Sequence, residues 1–252
     1  MKKLTIIAEL YYFVLSRRYK ISLKGEELLN PKGARLILPN HPAQIDAPLL
    51  SLILYRRCDV VPVVSERFMN MPLIGYFVKA LGSIPVSDLK FGNRDPKVLD
   101  TIHEGVKQGL KNGKSILIYP AGNITRTQLE VIKNKQSAFA VASTLTDNVQ
   151  VIGARIHGLR GSMWAVSNTG KLPNFGQAAL KSTLYLLANF IFFLPKRNVS
   201  IEFIDITEEI RAKAKTDRST FNRYLEDFYN LNGPEPDTYV KYISYLPGKS
   251  RV

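Results

Sequence analysis

Apolar and polar positions along this chain alternate with two different periods, and the order of those periods predicts an α/β architecture. Over residues 95–114, Val98, Ile102, Val106 and Leu110 recur every four positions and the run stops at Gly113. That spacing puts one apolar stripe on a helix with a glycine at its end. Helices are also expected at 3–19, 42–54, 69–81, 135–145 and 218–230. Between them lie short runs dominated by branched aliphatic residues: ARLILPN at 34–40, VVPVVSE at 60–66, SILIYPAG at 115–122, NVQVIGARIHG at 148–158 and NVSIEFIDI at 198–206. These predict buried strands, with two shorter ones at RYKISLKG (18–25) and GSIPVS (82–87). Strands alternating with helices imply a mixed, largely parallel sheet flanked by helices. No internal repeat or low-complexity linker interrupts the pattern. The expected organisation is an N-terminal amphipathic membrane-docking segment at 1–29, a main domain at 30–210 and a C-terminal helix and tail at 211–252.

Charge narrows the partners. The 252 residues carry 35 Lys and Arg against 21 Asp and Glu, a net charge of +14. Such an excess points to a polyanionic partner, either nucleic acid or an anionic membrane surface. No zinc-finger or aromatic-basic RNA-binding pattern is present, so nucleic acid is not expected. The basic residues instead flank apolar stretches: LTIIAELYYFVLSRRYK ends in Arg17, Arg18 and Lys20, and LYLLANFIFFLPKR ends in Lys196 and Arg197. Both stretches fall short of the roughly 20 apolar residues that span a bilayer. They fit two readings: helices lying in the membrane interface with their basic ends on anionic headgroups, or buried helices capped by snorkelling cations. The first implies peripheral attachment to the cytoplasmic face of the cell membrane. One cysteine, Cys58, excludes an internal disulfide, and three histidines without metal-ligand spacing make no case for a metal.

Chemistry concentrates where the first buried strand ends, in LILPNHPAQIDAPLLSLIL (36–54). His41 precedes a proline, which biases it away from helical angles, and Pro42 suits a first helical position. His41 is therefore expected as the N-cap. Asp46 lies one turn into the helix, where its carboxylate reaches back to the imidazole. A carboxylate so placed fixes the tautomer of a histidine base and stabilises its imidazolium. No nucleophile elbow accompanies the pair, so the hydroxyl to be activated is expected on a bound substrate. His103, Trp164 and His157 fit structural places better than catalytic ones.

NHPAQID resembles the H-x-x-x-x-D motif of the glycerolipid acyltransferases. LGSIPVSD, IYPAGNITR and VQVIGARIHG follow in the order of that family's second, third and fourth motifs. YPAGNITRT with GLRGS is more similar to the branch related to acyltransferase domains fused to acyl-activating ligases. The resemblance covers about residues 30–160 and implies transfer of a fatty acyl group from acyl carrier protein or coenzyme A to the hydroxyl of a lysolipid. No cofactor is implied, since the thioester is the donor substrate. It implies His41 as general base oriented by Asp46, and Asn40, Gly82, Pro120, Gly122, Asn123, Thr125 and Arg126 as substrate-binding positions. The chain departs from the pattern in two motifs. Asp88 stands where an arginine often ends the second motif, with Lys90 and Arg94 beyond it. Ala121 stands in place of the third motif's glutamate, and Asn123 where arginine often follows the glycine. These departures leave a lyso-aminolipid acceptor without phosphate, or a catalytically silent lipid-binding homologue, as alternatives to a lysophospholipid acyltransferase.

Overall fold

The computed structural model describes residues 2–30, 33–71, 74–86 and 96–246. Among these, seven strands form one sheet: β1 (Tyr19–Lys24), β2 (Arg35–Pro39), β3 (Val60–Ser65), β4 (Ile84–Val86), β5 (Ser115–Leu117), β6 (Gln150–His157) and β7 (Arg197–Asp205). Their order is β1-β7-β6-β2-β5-β3-β4. Every neighbouring pair is parallel except β6 with β7. The fold is thus the mixed, mostly parallel sheet that the alternation of periods predicts. Helices α1 (Lys2–Arg18), α2 (Asp46–Tyr55), α3 (Glu66–Met69), α4 (Ile74–Ala80), α5 (Pro96–Lys111), α6 (Ser137–Ala142), α7 (Phe175–Ala188), α8 (Thr207–Ala214) and α9 (Arg218–Tyr229) connect and cover the strands.

The pleat explains why β2 reads as an unbroken apolar run. Successive side chains leave a strand on opposite faces. Ile37 enters one core with Leu49, Leu52 and Ile53 of α2, Leu15 of α1 and Ala178 of α7. Leu36 and Leu38 enter the other, with Ile102, Val106 and Leu110 of α5, Val141 of α6, Ile210 of α8 and Phe221 and Leu225 of α9. A strand covered on both faces needs apolar residues at every position. Ile102, Val106 and Leu110 of the α5 stripe land as their spacing requires; the Val98 side chain lies outside the described residues.

Several elements differ from the sequence expectation. Of the helix expected at 69–81, α4 covers Ile74–Ala80 and residues 72–73 lie outside the described residues, while α3 (Glu66–Met69) and α8 had no counterpart. Strand β1 pairs along β7, from Tyr19 opposite Arg197 to Lys24 opposite Glu202. The segment 1–29 therefore supplies a strand of the main sheet as well as a helix. Likewise α9 packs into the second core, so the stretch beyond 211 shares the hydrophobic interior of the rest. The apolar stretch expected at 184–194 divides. Helix α7 begins earlier, where the Asn174 side chain accepts from Gln177 N at 3.0 Å, and ends at Ala188. A turn follows in which Phe190 and Ile191 take positive φ (48° and 67°). Left-handed angles are costly for a β-branched residue such as Ile191. Asn189, fully buried, holds this turn: its Nδ2 donates to Tyr185 O and Tyr242 O (2.6 and 2.7 Å) and its Oδ1 accepts from Ser244 N at 2.8 Å.

Candidate active site

Strands β2 and β5 run side by side in the same direction, with Ile37 opposite Leu117. Whatever follows each strand therefore emerges at the same end of the sheet. After β2 come Asn40 and His41, and after β5 come Tyr119 and the turn at Gly122. The His41 and Tyr119 rings meet with centroids 4.3 Å apart. Thr125 N then donates to His41 O at 2.8 Å, so the loop after β5 folds back onto the exit of β2.

His41 is not a helix N-cap. Residues 42–45 form a turn and α2 starts only at Asp46. The reason is the carboxylate itself: Asp46 Oδ2 accepts from Ala43 N at 3.0 Å, and Asp46 N donates to Ala43 O at 3.1 Å, closing a turn before the helix. The expected His–Asp contact forms all the same. Nδ1 of His41 lies 2.8 and 3.0 Å from Asp46 Oδ1 and Oδ2. Asp46 is wholly buried at the N-terminus of α2, a position that favours negative charge. Burial would depress the His41 pKa. The Asp46 charge and hydrogen bond, helped by Glu130, outweigh that and raise it. With Nδ1 committed to Asp46, Nε2 is the nitrogen left to take a proton. Tyr119 stays a neutral phenol, because burial and then the Asp46 charge push its pKa well up. Cys58 is also held protonated, chiefly by burial.

The other expected site residues divide. Pro120 is buried just beyond β5, and Gly122 turns the chain with φ 61°, where a Cβ would meet the end of the Lys135 side chain at 3.9 Å. Asn123, with its amide oriented by its hydrogen bonds, accepts from Lys135 Nζ at 3.0 Å and donates to Gly122 O at 3.2 Å. This places an ammonium group at the turn that sequence reasoning did not anticipate. Thr125 hydrogen-bonds the Glu130 carboxyl, and Arg126 is exposed on the same loop. Two positions serve other ends. Asn40 spends both ends of its amide on β6, donating to Ile156 O (2.9 Å) and accepting from Ile156 N (2.7 Å). Gly82 precedes β4, which β5 and β3 separate from β2. Asp88, Lys90 and Arg94 lie outside the described residues. Ala121 is buried in the second core.

Sequence reasoning missed Tyr119 as a neighbour of His41, and it missed Glu130 and the hold that α9, expected as a helix at 218–230, has on its loop. On α9, Asn222, Glu226 and Asn230 fall on every fourth residue, the last at the C-cap. Asn230 brackets the Glu130 backbone (2.8 and 2.9 Å), Glu226 accepts from Ile132 N and Lys133 N, and Asn222 donates to Lys133 O and Lys135 O. The four-residue spacing was a readable signal, but nothing local says what that face touches. The remaining histidines have structural partners: His103 Nε2 lies 2.7 Å from Thr144 Oγ1, and His157 Nδ1 lies 3.3 Å from Glu235 Oε2. Trp164 is buried against Phe175.

The family described as Acyltransferase matches residues 20–156, more than half of the chain. Among solved structures, the 1-acyl-sn-glycerophosphate (LPA) acyltransferase PlsC of Thermotoga maritima is similar in fold. Its TM-score is 0.53 at 16% identity, with 91% of this chain and 77% of that one covered. Comparison with curated proteins gives no significant match.

Proposed function

Because the chain belongs to the acyltransferase family, we propose that it moves a fatty acyl group from a thioester of acyl carrier protein or coenzyme A to the free hydroxyl of a lysophospholipid. The observation that carries this reading is the buried Asp46 carboxylate on Nδ1 of His41, at the end of β2. Nε2 takes the acceptor hydroxyl proton as that oxygen attacks the thioester carbonyl, and Asp46 stabilises the imidazolium. Collapse of the tetrahedral adduct breaks the C–S bond, and the proton returns from Nε2 to the departing thiolate. Lys135 at the Gly122 turn and the exposed Arg126 supply cations for an acceptor phosphate. A lyso-aminolipid acceptor is the second reading, favoured by the neutral amide of Asn123 directly after the turn.

The acceptor is a lipid, and the surface offers a place to meet it at a membrane. Helices α1 and α7 pack on the same face of the sheet and turn apolar stripes away from it. Ile6, Leu10 and Phe13 face outward on α1, and Leu180, Leu184 and Leu187 on α7. Phe190, Phe192 and Phe193 extend the second stripe at 73%, 64% and 67% exposure. An outward apolar stripe on each helix matches interfacial docking, and among the described residues no helix is long and apolar enough to cross a bilayer. Two of the flanking cations serve otherwise than expected. Arg18 is buried, donating to Lys241 O and Val240 O, and Arg197 is buried on Gly158 O, Arg160 O and Thr238 O. Lys20, Lys181 and Lys196 are exposed and remain for anionic headgroups. This reading implies peripheral attachment at the cytoplasmic face of the cell membrane.

The test is labelled acyl transfer to a panel of lysophospholipids and lyso-aminolipids, with both thioester donors, for the natural chain and His41→Ala. The variant should fold normally and lose about 10²- to 10⁴-fold of turnover. No transfer to any acceptor by the natural chain would leave a silent lipid-binding homologue, and transfer confined to aminolipids would select the second reading.

A further inference from the structure

Glu130 is an acid in a basic stretch, with Arg126, Lys133 and Lys135 around it, and it is only 6% exposed. Its Oε2 accepts from Thr125 Oγ1, while its Oε1 is buried without a hydrogen-bond partner. The backbone on either side of the carboxyl is fixed from outside the loop, since Asn230 both accepts from Glu130 N and donates to Glu130 O. Thr125, the carboxyl's partner, is the residue whose amide donates to His41 O at 2.8 Å. A continuous chain of contacts therefore runs from α9 through Glu130 and Thr125 to the backbone of His41. A glutamine would fill the same volume and could satisfy Thr125 without bringing a charge into the interior. A buried carboxyl with an unpaired oxygen is costly unless its charge is used.

Resting on the reading of His41 as the general base, we propose that Glu130 is a positioning residue of the same site. It holds the loop after β5 on His41 through Thr125, and with Asp46 it supplies a second negative charge that favours the imidazolium.

The groups around this pair come from several elements. Asp46 faces His41 from α2, Tyr119 from the end of β5, and Tyr229 faces Glu130 from α9. Lys135 stands at the Gly122 turn, Glu226 holds the amides of Ile132 and Lys133, and Arg160 donates to Thr127 O. Burial pushes the Glu130 carboxyl up to about 7, against the pull of the Thr125 hydroxyl and of His41. The carboxyl therefore changes state near neutrality. Ionised, it makes His41 a stronger base; protonated, it withdraws that support.

The experiment is an NMR titration of the imidazoles in the full chain, which needs no substrate. Of the three histidines, His41 is identified by its loss in His41→Ala. In Glu130→Gln the His41 titration should move to lower pH while His103 and His157 stay in place. The acid limb of the kcat/KM profile for acyl transfer should move in the same direction. Glu130→Asp keeps the charge and should restore the His41 titration towards that of the natural chain. Thr125→Val should move it down by less, because Glu130 without the hydroxyl stays protonated to higher pH. An unchanged His41 titration in folded Glu130→Gln overturns the proposal, as does an unchanged one in Thr125→Val should Glu130→Gln not fold. A shifted titration without acyl transfer would sink the assigned activity and leave the coupling; acyl transfer with an unshifted titration does the reverse.

Discussion

Replacing Asp46 by Asn keeps the volume of a wholly buried side chain and removes its charge, so it isolates what the carboxylate does for His41. The carboxylate serves two donors at once: the His41 ring at 2.8 and 3.0 Å and the Ala43 amide at 3.0 Å. One oxygen, Oδ2, lies 3.0 Å from both donors and Oδ1 lies 2.8 Å from Nδ1, so in an amide the NH2 comes to rest against either Nδ1 or Ala43 N. If its oxygen stays on Ala43 N, its NH2 faces Nδ1, which must then accept. The ring proton moves to Nε2, the nitrogen that should abstract, and turnover should fall about 10²- to 10⁴-fold. If the oxygen turns to His41 instead, the NH2 opposes the Ala43 amide, and a buried donor without a partner costs about 1–3 kcal/mol of stability. Loss of charge also leaves burial as the dominant influence on His41, so its pKa should drop. The acid limb of kcat/KM should therefore shift to lower pH even as the plateau falls. Stability carries a matching signature. A raised native pKa stabilises the fold fully below the ordinary histidine value of about 6.5 and is lost as pH rises through the native value. The natural chain should thus exceed Asp46→Asn in stability by more at pH 5.5 than at pH 9. A pH–rate series with urea unfolding at both pH values measures all three quantities. Asp46→Asn protein with more than a tenth of normal turnover and an unmoved acid limb would refute the role of the dyad.

Vesicle binding should weaken but persist in high salt, because salt screens Lys20, Lys181 and Lys196 but leaves apolar insertion intact. Replacing Phe190, Phe192 and Phe193 together by Ser should cost on the order of 1–2 kcal/mol each, and so at least about a hundredfold in partitioning measured by flotation. Complete release by moderate salt would show that these rings do not insert. Arg126→Lys should raise the acceptor KM and Arg126→Ala should raise it further, with the donor KM unchanged, if the guanidinium holds an acceptor phosphate as a fork. Equal small effects on both substrates would make Arg126 surface charge and favour the aminolipid acceptor. Asn189→Ala strands the Tyr242 carbonyl and the Ser244 amide, while Tyr185 O keeps the backbone amide of residue 189, and should lower unfolding free energy by about 2–4 kcal/mol in urea titrations. An effect under about 0.5 kcal/mol would mean that water replaces the side chain there.

What the sequence made legible depended on how far each residue's partner lies along the chain. The apolar spacing of α5 and the branched runs of β2, β6 and β7 declare their burial through neighbours within a few residues, and those elements stand where the periods put them. The His41–Asp46 contact was legible for the same reason, being five residues wide. Its backbone was not, because the carboxylate's second bond, to Ala43 N, delays the helix that Pro42 is fit to begin. Arg18 and Arg197 misled more deeply. As sequence they are cations beside apolar runs, the pattern of a headgroup contact. In the fold their donors end on carbonyls of residues 240–241 and of 158, 160 and 238, partners that no local window contains. Glu130 follows the same rule. Thr125 is near in sequence, but the features that make it more than a surface acid are long-range: burial against the loop that α9 clamps, and proximity to a histidine 89 positions earlier. The motif residues around Gly122 could be found by their resemblance to a known pattern. A carboxyl that reaches the same histidine from outside any motif becomes visible only when β2, β5 and α9 are brought to one end of the sheet.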